Sequence, residues 1–327
     1  MVKVFVTHNP EDLAAYYARA LPELQRIADV VVNPLDRDLT TRELTDLAAG
    51  CAVIVAHRAT PGETNIFSAL PGLLAFLRCA VDISTVDVGT ASECGVLVAR
   101  ADKSFVASTA ELALGLYLDV SRQISSSTID YRTGKEPPQR SGRQVRGQTA
   151  GIIGCGAIGA YLADLLTAMG LIVLVHDPNV ETAYEDVDLA DLLRRSDVVF
   201  PLAPGGQATT GLIAEAELAQ MKRGAVLVNV SRGELLDEQA VANALDSGRL
   251  SGVGLDVGQA ADQRPSLWLA ARADVVATPH LGGLTPENAD AQALSSVEQV
   301  QSIIAGNVPQ RSVNAEHATR LHAWWAR

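Results

Sequence analysis

Short apolar runs bounded by polar or turn residues recur along the first part of the chain: VKVFV from Val2, DVVVN from Asp29, AVIVA from Ala52 and GVLVA from Gly95. Between them lie stretches with helical spacing, such as PEDLAAYYARALPEL from Pro10. Brief, continuous apolar runs rich in β-branched residues predict strands buried on both faces. Their alternation with helices predicts a parallel sheet. A helix with Leu112, Leu116 and Val120 on one face is expected over Ser108–Arg122. The polar stretch after it, SSSTIDYRTGKEPPQRSGRQVRG from Ser125, reads as an exposed arm. A second succession of strand candidates follows: Thr149–Gly154, Leu171–Asp177, Asp197–Ala203, Ala225–Val230, Ser251–Val257 and Asp274–Pro279. Helical stretches such as AIGAYLADLLTAMG and DEQAVANALDSG separate them. A final helix, from about Pro286 to Ala305, is long enough to return to the first segment.

The pattern therefore predicts an α/β protein with two Rossmann-like, doubly wound parallel-sheet domains. The first is discontinuous, residues 1–99 and 287–327, and the second, residues 100–286, is inserted in it. A chain of 327 residues can bury two such cores. No apolar run approaches the ~18–20 residues that a membrane-spanning helix needs, and the start reads as a strand rather than a signal peptide.

The four cysteines, Cys51, Cys79, Cys94 and Cys155, form no CxxC pair and no histidine lies at a zinc-binding spacing. No metal site is expected from this, and buried free thiols in a reducing cytoplasm are the preferred reading. A net charge of −12 disfavours nucleic acid as a partner. It leaves room for a small anionic substrate in a locally positive pocket.

The chemistry concentrates in the second domain. Gly154, Gly156 and Gly159 keep the GxGxxG spacing between a strand and a helix. The first suits a tight turn, the second a close approach to a pyrophosphate, the third close helix packing. The N–H groups of Ala157 and Ile158 would face the phosphates. Asp177 ends the next strand and suits the ribose hydroxyls. With Pro178 and Asn179 beside it and no arginine, the acid favours NAD over NADP.

With this domain placed second and a terminal helix returning to the first, the chain resembles the D-isomer-specific 2-hydroxyacid dehydrogenases over nearly its whole length. MKRGAVLVNVSRGELLDEQAVANALDSGRLSGVGLDV and ATPHLGGLTPEN carry the resemblance. It implies a substrate domain, an NAD-binding domain and the cofactor NAD. Arg232 would bind the substrate, and His280 would be the general acid and base. Histidine suits that role because it changes protonation near neutral pH. Asp256 would hold the nicotinamide carboxamide, and Thr209 and Val230 would touch the cofactor. Val81 and Asp82, in AVDISTVD, fall on the loop that binds the substrate carboxylate. The family pairs its cofactor domains through the helix from Ser108 and the arm after it, which implies a homodimer.

Three departures matter. The family's glutamate, five residues after the Asp256 position, is Ala261 here; Asp262 is one place late and has a shorter arm. Asp82 replaces a glycine beside the anion site, so its carboxylate either points away or signals an unusual substrate. Gly206 stands where a cofactor-facing threonine is common. The expected function is NAD-dependent hydride transfer to or from C2 of a small 2-oxo or 2-hydroxy acid. The alternative is a dinucleotide-sensing binding protein with little turnover, which the absent glutamate would also suit.

Overall fold

The computed structural model describes residues 1–327, which divide into two compact units: Met1–Ser104 with Pro286–Arg327, and Phe105–Thr285. The first unit is built on a wholly parallel sheet in the order β2-β1-β3-β4-β5. Its strands are β1 (Lys3–Val6), β2 (Asp29–Val32), β3 (Val53–Ala56), β4 (Ala75–Arg78) and β5 (Leu97–Arg100). Alternate residues serve opposite cores. Val4, Val6, Val53, Val55 and Leu77 pack on one side with Val297, Val300 and Ile303 of the long Pro286–Ile304 helix. Phe5, Ile54, Phe76 and Val98 pack on the other with Ile66 and Phe67. Both faces are buried, as continuous apolar strands require.

Two expectations for this unit change. Strand β4 was not separated by the hydrophobic pattern, because ALPGLLAFLRCAV is one apolar run in which a strand and a helix look alike. The helical stretch expected from Pro10 to Leu24 is present with one irregularity: α-helical segments at Pro10–Asp12 and Ala20–Ile27 flank a wide π-helical turn at Leu13–Tyr17, and Ala18 and Arg19 between them keep right-handed helical angles. Pro22, in the first turn of the Ala20–Ile27 segment, has no N–H with which to bond the Ala18 carbonyl.

The second unit carries a parallel sheet in the order β12-β11-β10-β9-β6-β7-β8. The strands are β6 (Thr149–Ile153), β7 (Ile172–His176), β8 (Glu185–Asp186), β9 (Val198–Pro201), β10 (Ala225–Asn229), β11 (Leu250–Leu255) and β12 (Val275–Ala277). The six expected strands are present. The seventh, β8, is a two-residue acidic edge that no hydrophobic pattern could show. The chain departs from β6 toward β7 on one side and later adds β9 on the other, so the switch point lies at the end of β6. The expected helix spans Val106–Arg122 and ends where Gln123 turns left-handed. The arm begins as a second helix, Ile124–Arg132, before becoming irregular. All four cysteines are free, and no helix is long and apolar enough to cross a membrane.

Candidate active site

The turn after β6 is shaped by its glycines. Gly154 has φ +96°, and a side chain there would lie 2.7 Å from the Ala203 nitrogen. Gly159 would place one 2.4 Å from the Gly154 carbonyl oxygen. At Gly156, by contrast, an added Cβ would meet nothing within 4 Å. Gly156 is the N-cap of the Ala157–Ala168 helix, and no side chain caps it. Open space over uncapped helix N–H groups fits a pyrophosphate.

Asp177 follows β7. One carboxylate oxygen accepts from the Cys155 N–H at 2.7 Å and the other from the Asn179 N–H at 2.9 Å. A carboxylate offers about four acceptor positions, so room remains for ribose hydroxyls. Val230 is buried just past β10, and the Thr209 hydroxyl donates to the Pro204 carbonyl at 2.7 Å. These residues fit a dinucleotide.

Arg232 and His280 follow β10 and β12, the two neighbours of β11, so parallel topology puts them at the same sheet edge. Arg232 is exposed, and its Nη1 donates to the Ser231 carbonyl at 2.8 Å. Buried Asn229 fixes that loop, donating to the Arg232 carbonyl at 2.8 Å and accepting from the Ser231 N–H at 3.1 Å.

Asp256, just past β11, is fully buried. Its carboxylate accepts from the Thr278 hydroxyl at 2.6 Å, the Leu281 N–H at 2.6 Å and the Gly282 N–H at 2.8 Å. Its carbonyl accepts from the His280 N–H at 2.9 Å. This aspartate therefore holds the histidine loop from beneath, a role that its strand-end position did not reveal.

No carboxylate holds His280 from the side. Its Nδ1 lies 2.9 Å from the main-chain carbonyl of Asp262. A carbonyl can only accept, so Nδ1 carries hydrogen and Nε2 is the nitrogen left to exchange a proton. The contact is made by unusual backbone. Of the five non-glycine residues with positive φ, three meet here: Asp262 (56°), Gln263 (55°) and His280 (62°). Such conformations cost of order 1–3 kcal/mol each and persist where surrounding structure over-determines them. Ala261 begins the 3₁₀ turn, Ala261–Gln263, that presents the carbonyl.

In the first unit, the carboxylate of Asp82 folds back on its own loop, accepting from the Ser84 N–H at 2.9 Å and the Ser84 hydroxyl at 3.1 Å. Val81 is half-buried beside it. Arg78, fully buried at the end of β4, ties this loop to the end of β3. It donates to the carbonyls of His57 at 2.6 Å and Arg58 at 2.8 Å and to the Thr85 hydroxyl at 3.0 Å. Burial lowers its pKa to about 10, against the opposing influence of Cys79 and Asp82.

Sequence reasoning missed the histidines of this edge. His57 directly follows β3 and His8 lies two residues past β1, and their ring centroids are 4.9 Å apart. Burial, reinforced by His57, depresses the His8 pKa to about 3. Burial also lowers that of His57, although Asp12 and Asp38 oppose it. The signal was available: both histidines lie just past the carboxyl ends of parallel strands, where α/β ligand sites form.

The NAD-binding-domain model of the D-isomer-specific 2-hydroxyacid dehydrogenases matches residues 114–282. The chain belongs to that family. It is 36% identical over 269 residues to D-3-phosphoglycerate dehydrogenase of Mycobacterium tuberculosis, covering 80% of this chain and 51% of that one. It is 32% identical over 281 residues to hydroxypyruvate reductase of Thermotoga maritima, covering 84% and 90%. Among solved structures, the NAD-complexed D-isomer-specific 2-hydroxyacid dehydrogenase of Lactobacillus delbrueckii shares the fold. Its TM-score is 0.80 at 24% identity, over 96% of this chain and 100% of that one. The chain spans about half the length of the D-3-phosphoglycerate dehydrogenases it matches. The matched NAD-binding domain lies within the Phe105–Thr285 unit, and NAD is the cofactor that goes with it.

Proposed function

We propose that this chain is an NAD-dependent oxidoreductase acting at C2 of a small 2-oxo or 2-hydroxy acid. The observation that carries the reading is His280, its Nδ1 tied at 2.9 Å to the Asp262 carbonyl, at the same edge of an NAD-binding sheet as Arg232. When bound, NADH supplies the hydride from nicotinamide C4. Arg232 binds the substrate carboxylate and polarises the keto oxygen, where negative charge develops. Nε2 of His280 gives its proton to that oxygen during reduction and takes it back during oxidation. Val81 and Asp82 are the first unit's candidates for substrate binding, through their main chain, since the Asp82 side chain is held by Ser84. The relatives' names, hydroxypyruvate reductase and D-3-phosphoglycerate dehydrogenase, point to short oxygenated acids.

A dinucleotide-sensing protein with little turnover is the second reading, because no acidic side chain supports His280. A panel of 2-oxo acids assayed with NADH, followed by absorbance of the reduced cofactor, separates the two. Saturable oxidation with one or more acids supports the enzyme. Tight NADH binding with no turnover across the panel supports the sensor.

The cofactor and assembly readings have consequences of their own. With Asp177 at the ribose, NADH is expected to bind at least ~10-fold more tightly than NADPH, about 1.4 kcal/mol. Equal dissociation constants in a fluorescence titration would remove that role. The arm helix exposes Ile124 by 54%, Ile129 by 58% and Tyr131 by 69%. Apolar residues on an otherwise polar arm support pairing with a second copy. Light scattering should report the mass of a dimer at micromolar concentration, and a monomer there would refute it. A cytoplasmic location remains part of this reading.

A further inference from the structure

We propose that the carboxyl edge of the first unit's sheet binds one divalent transition-metal ion of the zinc type, held by Asp12, Asp38 and His57. Donor atoms of these three side chains all lie within 4.8 Å of one another. They come from the segments following β1, β2 and β3, which are neighbours in the order β2-β1-β3. The chain leaves β1 toward β2 on one side and then adds β3 on the other. The crevice between β1 and β3 is thus the topological switch point, where ligands of this sheet type sit.

A second, independent observation points to a ligand. His57 is only 9% exposed, and its Nδ1 has no hydrogen-bond partner. That nitrogen faces Asp12 Oδ2 at 3.6 Å. The separation is too long for a hydrogen bond and close to the spacing of two ligands on one ion. Donors ~2.1 Å from a tetrahedral metal lie about 3.4 Å apart. An ion between a neutral imidazole and a carboxylate would satisfy both sets of lone pairs.

The ligands are already set in place. The His57 N–H donates to the Thr7 hydroxyl at 2.9 Å, and Arg78 holds its carbonyl at 2.6 Å. The Asn9 amide donates to Asp12 Oδ2 at 2.8 Å, and its oxygen accepts from the Asp12 N–H at 2.9 Å. His8, 2% exposed, packs behind the His57 ring and keeps water from that side. Nitrogen and carboxylate donors together suit a zinc-type ion rather than magnesium, which takes oxygen ligands and keeps its waters. Three protein ligands leave coordination positions open.

The full chain, stripped of metal with a chelator, is titrated with Co²⁺ while the visible spectrum is recorded, and Zn²⁺ is then added as competitor. One saturable Co²⁺ per chain, displaced by Zn²⁺, is expected. His57→Gln and Asp38→Asn should each weaken binding at least ~10-fold. His317→Gln, at an exposed histidine beside Glu316, should change nothing. Asp38 is exposed, so its variant keeps the test valid if His57→Gln unfolds. Absence of stoichiometric binding, or equal affinity in wild type and Asp38→Asn, would overturn the proposal.

Discussion

Replacing His280 with alanine is expected to lower kcat by roughly 10²–10⁴-fold while NADH still binds, because only the proton transfer is removed. The glycine turn and Asp177 belong to other loops and keep their geometry. The companion result is more specific. Because the imidazole is held by the main-chain carbonyl of Asp262, Asp262→Asn retains the acceptor and should leave kcat within about twofold, the scale of an exposed substitution. If the carboxylate were the partner, that substitution would remove its charge and lower kcat sharply. Steady-state kinetics of the two variants beside wild type decides between these outcomes. Full activity in His280→Ala would place the proton donor elsewhere.

Asp256→Ala should damage both fold and activity. Its removal leaves the buried Gly282 N–H and the part-buried Thr278 hydroxyl and Leu281 N–H without their acceptor. Each unsatisfied buried donor costs about 1–3 kcal/mol. With water able to reach the part-buried donors, a loss of about 2–4 kcal/mol is expected from the three together. The thermal midpoint should fall by at least ~4 °C. In the protein that remains folded, His280 loses the loop that aims it, and a misplacement of ~1 Å costs about 10² in rate. A variant with unchanged midpoint and unchanged kcat would show that the loop is held by other contacts.

How far the sequence reaches is clear from these residues. Six of the seven strands of the NAD-binding unit were legible because each is a short apolar run between a helix and a turn; the acidic pair Glu185–Asp186 offered no such run. GxGxxG was legible because three glycines are needed in one local turn, and the acid after β7 lies at a fixed distance along the chain. The partner of His280 was not legible. It is a main-chain atom, present at every residue, and it is selected by left-handed backbone at Asp262, Gln263 and His280 rather than by any side chain. Asp256 could be placed at a strand end, but not its three donors, which come from a segment more than twenty residues later. The Asp12, Asp38 and His57 group was hidden for a related reason. Metal-ligand spacing can be read within one helix or hairpin, whereas these residues are joined only by the order β2-β1-β3.

The measurement that bears most directly on the account follows the hydride itself. The chain is incubated with NADH deuterated at both C4 positions of the nicotinamide and with a 2-oxo acid from the panel, and the product is examined by proton and deuterium NMR. The account predicts a 2-hydroxy acid with one deuterium at C2, formed in step with NAD and made at least ~100-fold more slowly by His280→Ala. Tight binding of the deuterated cofactor with no deuterated hydroxy acid from any panel member would contradict it.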